Sequence, residues 1–146
     1  MTLSPQELSD RLEISDLLVD YSHAIDTRDW DALDDVFTPD AFIDYSAFGG
    51  STGDLTTTKE FLAGALAAFP GFQHMVATSK VTVDGDTAVG RTICHNPMVL
   101  SEGEGGTTLM FCGLWYVDRF VRTPDGWRIK ERVEESVYMR VFTGKH

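Results

Sequence analysis

The sequence contains few cysteines and no long apolar segment. Only Cys94 and Cys112 are present, and they do not form a Cys-x-x-Cys pair. Both lie in strand-like segments, so we expect two buried free thiols rather than a disulfide or a nucleophile. No run approaches the roughly 18 apolar residues of a membrane span, and the N-terminus lacks the basic start and apolar core of a signal peptide. We therefore expect a cytoplasmic protein that does not associate with membranes.

Basic residues are also scarce. The chain carries 12 lysines and arginines against 23 aspartates and glutamates, a formal net charge of −11. Most of such a surface repels a polyanion, so nucleic acid is not an expected partner. The sequence has no phosphate-binding glycine loop, no nucleophile elbow and no clustered metal ligands. These absences favour chemistry that uses neither a cofactor nor a metal ion.

What is present is the composition of an ordinary globular domain. The 146 residues are 42% hydrophobic and 24% charged. That length predicts one domain, residues 1–146, with a single core. A chain of this size buries about two thirds of the surface that its unfolded form exposes, which is sufficient without disulfides or a structural metal.

The N-terminal region predicts a long helix. Ser4-Pro5-Gln6-Glu7 is a capping box with proline at the first helical position, and the helix should extend to Asp26. Its apolar positions form a wide arc that contains Tyr21, with Leu8 and Val19 on an adjoining side, so we expect the helix to be covered on most of its circumference. Asp26 points inward, where a carboxylate needs a partner.

The rest of the chain predicts two more helices and then strands. A short helix carries Trp30, Leu33 and Phe37, and a third should begin at the capping box Thr57-Thr58-Lys59-Glu60 and end before Pro70. A strand at 41–45 and a glycine-rich loop separate them, and hairpin-linked strands follow. This order predicts an α+β fold, with three N-terminal helices packed in a strongly curved, mixed and mostly antiparallel sheet that encloses a conical cavity.

Two histidines lie on neighbouring strands of the first predicted hairpin. Pairing about the turn at 84–86 places His95 opposite Met75 and His74 opposite Asn96. A slip of one residue, or a bulge, would instead place the two histidines opposite each other on one face. The sequence alone leaves the register of this hairpin open.

His74 is a candidate partner for the Asp26 carboxylate. Taken alone, His74 is more often a core histidine than a catalyst, but pairing with Asp26 would hold one ring nitrogen protonated and leave the other free as a base. Tyr45 ends a strand just before the glycine-rich loop, where its phenol can reach into a cavity. His23 and His146 are expected at the surface.

Two stretches carry a resemblance to a known family. "AIDTRDWDALDDVFTPDAFIDYSAF" and the Gln-His-Met of "GFQHMV" resemble scytalone dehydratase, in the SnoaL-like branch of the nuclear-transport-factor-2-like (NTF2-like) superfamily, whose cystatin-like fold is a cone of bent sheet around helices. The resemblance implies that His74 acts as acid and base, that Asp26 supports it, that Tyr45 polarises a substrate carbonyl through water, and that His95 is a second active-site histidine. Bile acid 7α-dehydratase is similar in its Tyr-x4-Asp pair, matched here by Tyr21 and Asp26.

These features together predict a cofactor-independent dehydratase (a lyase) or isomerase. Its substrate would be a hydrophobic, ring-containing hydroxy-carbonyl compound of steroid or polyketide type, handled by His74, Asp26, Tyr45, Tyr21 and His95. Two alternatives stay open: a non-catalytic small-molecule-binding domain, and a ketosteroid-isomerase-like or cyclase-like enzyme with Asp26 as the base. The resemblance also implies a homo-oligomer, either a dimer or a trimer.

Overall fold

The computed structural model describes residues 2–145, so the expectation for His146 lies outside the described residues. The helices are α1 (Pro5–Asp26) and α2 (Leu55–Leu66), and short 3-10 helices span Asp31–Asp35 and Ser46–Phe48. The strands are β1 (Phe37–Asp44), β2 (Thr52–Gly53), β3 (Gly71–Phe72), β4 (Met75–Asp84), β5 (Thr87–Gly103), β6 (Gly106–Thr123) and β7 (Gly126–Gly144). None of the helices in this range is long and apolar enough to cross a membrane.

The α+β architecture is confirmed, with two α-helices instead of three. The second predicted helix is a 3-10 turn of five residues, because Phe37 already pairs with Ile129 at the start of β1. The sheet order is β2-β1-β7-β6-β5-β3, and β4 also pairs with β5. The β1–β7 pair is parallel and the other pairs are antiparallel, so the sheet is mixed as predicted. Bulges in the long strands allow the sheet to bend around the helices.

The start of α1 follows the predicted capping box. The Glu7 N–H donates to Ser4 Oγ at 3.2 Å, and the Ser4 N–H donates to the Glu7 carboxylate at 2.7 Å. Tyr21 is buried, as its position in the apolar arc predicted. The expected cover on most of the helix is wrong for the single chain, because Leu8 and Val19 are exposed. The sheet packs against one side of the helix only.

The helix α2 begins earlier than predicted. Asp54 is its N-cap, and the Asp54 carboxylate accepts a hydrogen bond from the Thr57 N–H at 2.8 Å. Aspartate is a somewhat better N-cap than threonine, which explains why the predicted box at Thr57 is not used. At the other end, the Arg28 guanidinium donates to the carbonyls of Leu66 (2.6 Å) and Phe69 (2.7 Å), so the last turn is satisfied by a side chain from the end of α1.

The β4–β5 hairpin confirms part of the predicted register. Met75 pairs with His95, as expected. His74 lies in no strand, because the chain leaves the sheet between β3 and β4, and the neighbouring contact is a hydrogen bond from the Gln73 N–H to the Pro97 carbonyl at 3.1 Å. The two histidines therefore do not face each other.

A buried carboxylate joins the start of α1 to the far end of the sheet. Asp10 accepts hydrogen bonds from Arg122 at 2.7 and 3.0 Å, from the Trp127 indole N–H at 3.1 Å and from Gln6 at 3.0 Å. These bonds, Arg122 foremost, lower the pKa of Asp10 to about 2. Cys94 and Cys112 are buried free thiols, as predicted.

We expect Asp10→Asn to destabilise the fold by about 2 kcal/mol, because hydrogen bonds to charged groups contribute about 1.5–3 kcal/mol. The Asp10 contribution is fully present above the ordinary aspartate pKa of 3.8 and is lost as the pH falls towards about 2. Urea unfolding at neutral and acidic pH measures both effects. A difference between wild type and Asp10→Asn that stays constant down to the lower pH would contradict this role, and Asp16→Asn on the exposed side of α1 is the matched control.

Candidate active site

A cavity of about 220 Å³ lies between the helices and the concave face of the sheet. Small-molecule sites typically have volumes of about 300–1,000 Å³, so this one suits a compact ligand. Its apolar wall includes Phe48, Phe61, Leu62, Leu66, Phe69, Met98, Met110, Leu114 and Met139. Its polar lining consists of Tyr21, Tyr45, His74, Asn96, Tyr116 and Glu134.

The Asp26 carboxylate, at the end of α1, holds the segment that carries His74. The His74 backbone N–H donates to both Asp26 oxygens, at 3.1 and 2.9 Å, and His74 Nδ1 lies 2.7 Å from Asp26 Oδ1. One turn earlier on α1, the Ser22 hydroxyl donates to the His74 carbonyl at 2.5 Å. Backbone and ring are thus fixed by the same carboxylate, which is possible because His74 lies in the break between β3 and β4.

Within this pair, only the histidine reaches the cavity. The His74 side chain is 7% exposed and lines the cavity, whereas the Asp26 side chain is 26% exposed and stands behind the imidazole. Because Nδ1 contacts the Asp26 carboxylate, the tautomer that carries its proton on Nδ1 is favoured. That tautomer leaves Nε2 unprotonated. No hydrogen bond to Nε2 is formed within residues 2–145. The arrangement provides a ring nitrogen that can accept a proton from a bound molecule.

Three tyrosine hydroxyls meet at one end of the cavity. The Tyr21 hydroxyl lies 2.7 Å from that of Tyr45 and 3.4 Å from that of Tyr116. Burial raises the pKa of Tyr21 and raises the pKa values of Tyr45 and Tyr116 well above the ordinary value, so all three stay protonated. The Tyr21 ring also meets the His74 ring edge to face, with centroids 6.5 Å apart. The cluster therefore provides neutral hydroxyl groups beside the histidine.

A buried ion pair supports this tyrosine cluster. Arg132 donates through Nε and Nη2 to the two oxygens of Asp118, both at 2.8 Å, and neither side chain is exposed to solvent. The guanidinium carbon lies 3.9 Å from the ring centroid of Tyr116 and 4.2 Å from that of Tyr21. A cation over aromatic faces is attracted by their electron density, and Asp118 compensates its charge. The ion pair therefore holds the rings of Tyr21 and Tyr116 in place.

Sequence reasoning missed four polar residues of this region: Asn96, Tyr116, Arg132 and Glu134. For Tyr116 and Asn96 a signal was available, because both follow the simple alternation of their strands. For Arg132 and Glu134 on β7, simple alternation from the start of the strand predicts the wrong face, because the β6–β7 register shifts at Arg119/Phe120. Burial raises the pKa of Glu134 to about 8.

The structure brings Asp26, His74, Tyr21 and Tyr45 together but not His95. His95 points to the opposite face of β5 from Asn96, and its Nδ1 lies 2.8 Å from the Tyr138 hydroxyl. His23 is exposed, as predicted.

Two further observations concern nucleophilic and metal-dependent chemistry. Burial raises the pKa of Cys94 to about 12, which argues against a thiolate nucleophile there. Within residues 2–145, no group of three or more histidine, cysteine, aspartate or glutamate side chains is placed to hold a metal ion.

Solved structures share this fold over almost the whole chain. Hexachlorocyclohexane dehydrochlorinase (LinA) type 2 superposes with a TM-score of 0.83 at 19% identity, covering 96% of this chain and 93% of that one. A protein from Novosphingobium aromaticivorans, provisionally named a scytalone dehydratase, superposes with a TM-score of 0.82 at 19% identity, covering 98% and 94%. At these identities the likeness establishes the fold, which confirms the predicted NTF2-like cone.

A sequence relative and a family model define the membership of the chain. An uncharacterized protein of Mycobacterium tuberculosis (strain H37Rv) is 55% identical over 140 residues, which are 96% of this chain and 94% of that protein. The model of the SnoaL-like domain matches residues 6–133. The match spans most of the chain and confirms the resemblance seen in the sequence, so the protein belongs to the SnoaL-like domain family.

Proposed function

We propose that this protein is a cofactor-independent lyase of the dehydratase type, or an isomerase, in which His74 removes a proton next to a carbonyl group. The observation that carries the proposal is the contact of 2.7 Å between His74 Nδ1 and Asp26, with His74 at the wall of an apolar cavity. A base must reach the proton that it removes, and His74 lines the cavity in which a substrate would lie.

In the proposed reaction, His74 Nε2 takes the α-proton and the electron pair of the broken C–H bond forms an enolate. Asp26 holds the Nδ1 proton and stabilises the imidazolium that results. Tyr45 or Tyr21 donates a hydrogen bond to the enolate oxygen, a group that gains charge during the step. In a dehydration, the enolate electrons form the new C=C bond, and the β-hydroxyl takes the proton from the imidazolium and leaves as water. In an isomerisation, the same proton returns to a different carbon.

The shape and lining of the cavity support a hydrophobic ring compound as substrate. Aromatic and aliphatic side chains form most of its wall, and the volume of about 220 Å³ favours a compact compound. One structural neighbour is named a hexachlorocyclohexane dehydrochlorinase and another, provisionally, a scytalone dehydratase. Both names denote an elimination, in which a proton is removed from carbon, the kind of step that we assign to His74, so they support elimination as the reaction class.

The position of Asp26 bears on the version in which Asp26 itself is the base. Both Asp26 oxygens accept hydrogen bonds from His74, and Asp26 does not line the cavity. A direct base must contact the substrate, so the geometry favours a supporting role. A non-catalytic binding domain is the remaining alternative, and it predicts binding without proton exchange.

We expect His74→Gln to reduce turnover by about 10²–10⁴-fold, the usual contribution of a general acid–base group. The measurement is exchange of the α-proton of cyclic β-hydroxyketones in D₂O, followed by NMR, together with enone formation followed by ultraviolet absorbance. His23→Gln is the matched control, because His23 is exposed and outside the cavity. An unchanged rate in His74→Gln would overturn the assignment, and ketones that bind to the wild type without exchange would favour the binding domain.

We expect Asp26→Asn to be less damaging than His74→Gln, and the double variant to be no slower than His74→Gln alone. Residues that act as one unit give such non-additive losses. Measured exchange rates of the two single variants and the double variant decide between the versions. The opposite order, with Asp26→Asn inactive and His74→Gln still active, would identify Asp26 as the base.

A further inference from the structure

Glu134 is the one acidic side chain that lines the cavity in the described part of the chain. It lies on β7 opposite Tyr116 of β6, two positions after Arg132 and on the same face of the strand. Within residues 2–145 it has no hydrogen bond and no ion pair, although it is half-buried. A carboxyl group in such a place is either an expensive charge or a neutral acid.

The cation on this face, Arg132, is already paired with another carboxylate. Arg132 forms two hydrogen bonds of 2.8 Å with Asp118, and its guanidinium stacks on the ring of Tyr116. Asp118 therefore already balances the charge of Arg132. No salt bridge links Arg132 to Glu134 in the described residues.

The surroundings of Glu134 favour its neutral form. Burial raises its pKa to about 8, the Arg132 charge opposes this rise, and the Asp44 carboxylate of β1 adds to it. The other ionisable groups around the cavity are Tyr116 and Cys112 on β6, Tyr21 on α1, Tyr45 after β1 and His74 between β3 and β4. Burial raises the pKa of the Cys112 thiol, so Cys112 stays neutral as well. The three tyrosines stay neutral because burial raises the pKa of each.

A second polar group of the cavity wall also lacks a partner. Asn96 on β5 is only 9% exposed and lines the cavity, and its Oδ1 is buried without a hydrogen bond. A buried acceptor without a donor costs about 1–3 kcal/mol, which a bound molecule can offset by donating a hydrogen bond. Asn96 is thus an independent sign of a ligand at this wall.

We propose that Glu134 is a ligand-binding acid, which donates its carboxyl proton in a hydrogen bond to a carbonyl oxygen of an uncharged ring compound, while Asn96 accepts a hydrogen bond from a hydroxyl group of the same compound. Glu134 and Asn96 then add one donor and one acceptor to a cavity whose wall is mostly apolar. That pattern matches a hydroxy-ketone and disfavours a carboxylate, which would bring an acceptor and a negative charge to Glu134. A carboxylic acid kept neutral by an apolar site can act as such a donor.

The inference rests on the proposed function for the class of compound, but binding does not require turnover. If the Glu134 variants bind both probes as wild type does, the prediction for His74 is unaffected. Conversely, loss of the His74 assignment would leave a binding site with the same preference.

The experiment compares binding of 1-tetralone with that of tetralin, the same ring system without the carbonyl oxygen, by calorimetry on both sides of pH 8. We expect wild type to prefer 1-tetralone by about three- to tenfold below pH 8, because one hydrogen bond provides roughly that factor. The preference falls as the pH rises through about 8, since the ionised carboxylate has no proton to donate.

Two variants and one control separate Glu134 from other groups. Glu134→Gln keeps a donor and should keep the wild-type preference at every pH, whereas Glu134→Leu should show the reduced preference at every pH. Glu135→Gln, on the exposed face of the same strand, should behave as wild type. A wild-type preference that does not change with pH, or a Glu134→Gln variant that loses it, would overturn the inference.

A direct measurement covers the case in which neither probe binds or a variant does not fold. In wild type labelled with carbon-13 at the glutamate carboxyls, Glu134 should titrate near pH 8 in NMR spectra. A midpoint near the ordinary glutamate value of 4.5 would show that the acid is ionised at neutral pH and would reject the proposal.

Discussion

The site depends on one contact, the acceptance by Asp26 of two N–H groups from His74. The backbone N–H and the ring Nδ1 both approach this carboxylate within about 3 Å, and the Ser22 hydroxyl adds a bond to the carbonyl of the same residue. The last two turns of α1 thus hold the chain where it leaves the sheet between β3 and β4. Without that break, His74 would be a strand residue facing either the core or solvent.

Charge and hydrogen-bond donors occupy separate layers beneath and around the cavity. The fully buried Arg132–Asp118 pair lies beneath the rings of Tyr21 and Tyr116, away from the cavity wall. At the wall, the tyrosine hydroxyls and Glu134 have raised pKa values because they are buried. A neutral donor in a dry cavity interacts strongly with an oxygen that gains negative charge, and it does not require a counter-ion. This layering suits chemistry on an uncharged compound.

Local rules accounted for the start of α1 and for the candidate pair. The Ser4–Glu7 capping box needs only neighbouring residues, and helical periodicity placed Tyr21 in the core. A carboxylate at the C-terminal end of a helix needs a partner, and His74 provides it for Asp26. The same kind of reasoning went wrong at α2, where Asp54 competes with Thr57 as the cap, and at Leu8 and Val19, where apolar character does not establish that a neighbouring element covers the side chain.

Register was the main obstacle to predicting the cavity wall. On β7, Trp127 and Ile129 face the core, but the bulge at Lys130 reverses the alternation, so that Arg132 and Glu134 face inward instead. A second shift near Val137 reverses it again. A one-residue change of register moves every following side chain to the other face.

The sequence by itself determined the fold class, the cap of α1, the burial of Tyr21 and the need of Asp26 for a hydrogen-bond partner. Each follows from interactions between residues that are close along the chain or across a short turn. Only the tertiary structure decided which face of β5 turns towards the cavity, which leaves His95 outside it, and that Glu134 lies within it. Bulges and the curvature of the sheet set those positions, and they arise from the packing of long strands against helices that are distant in sequence.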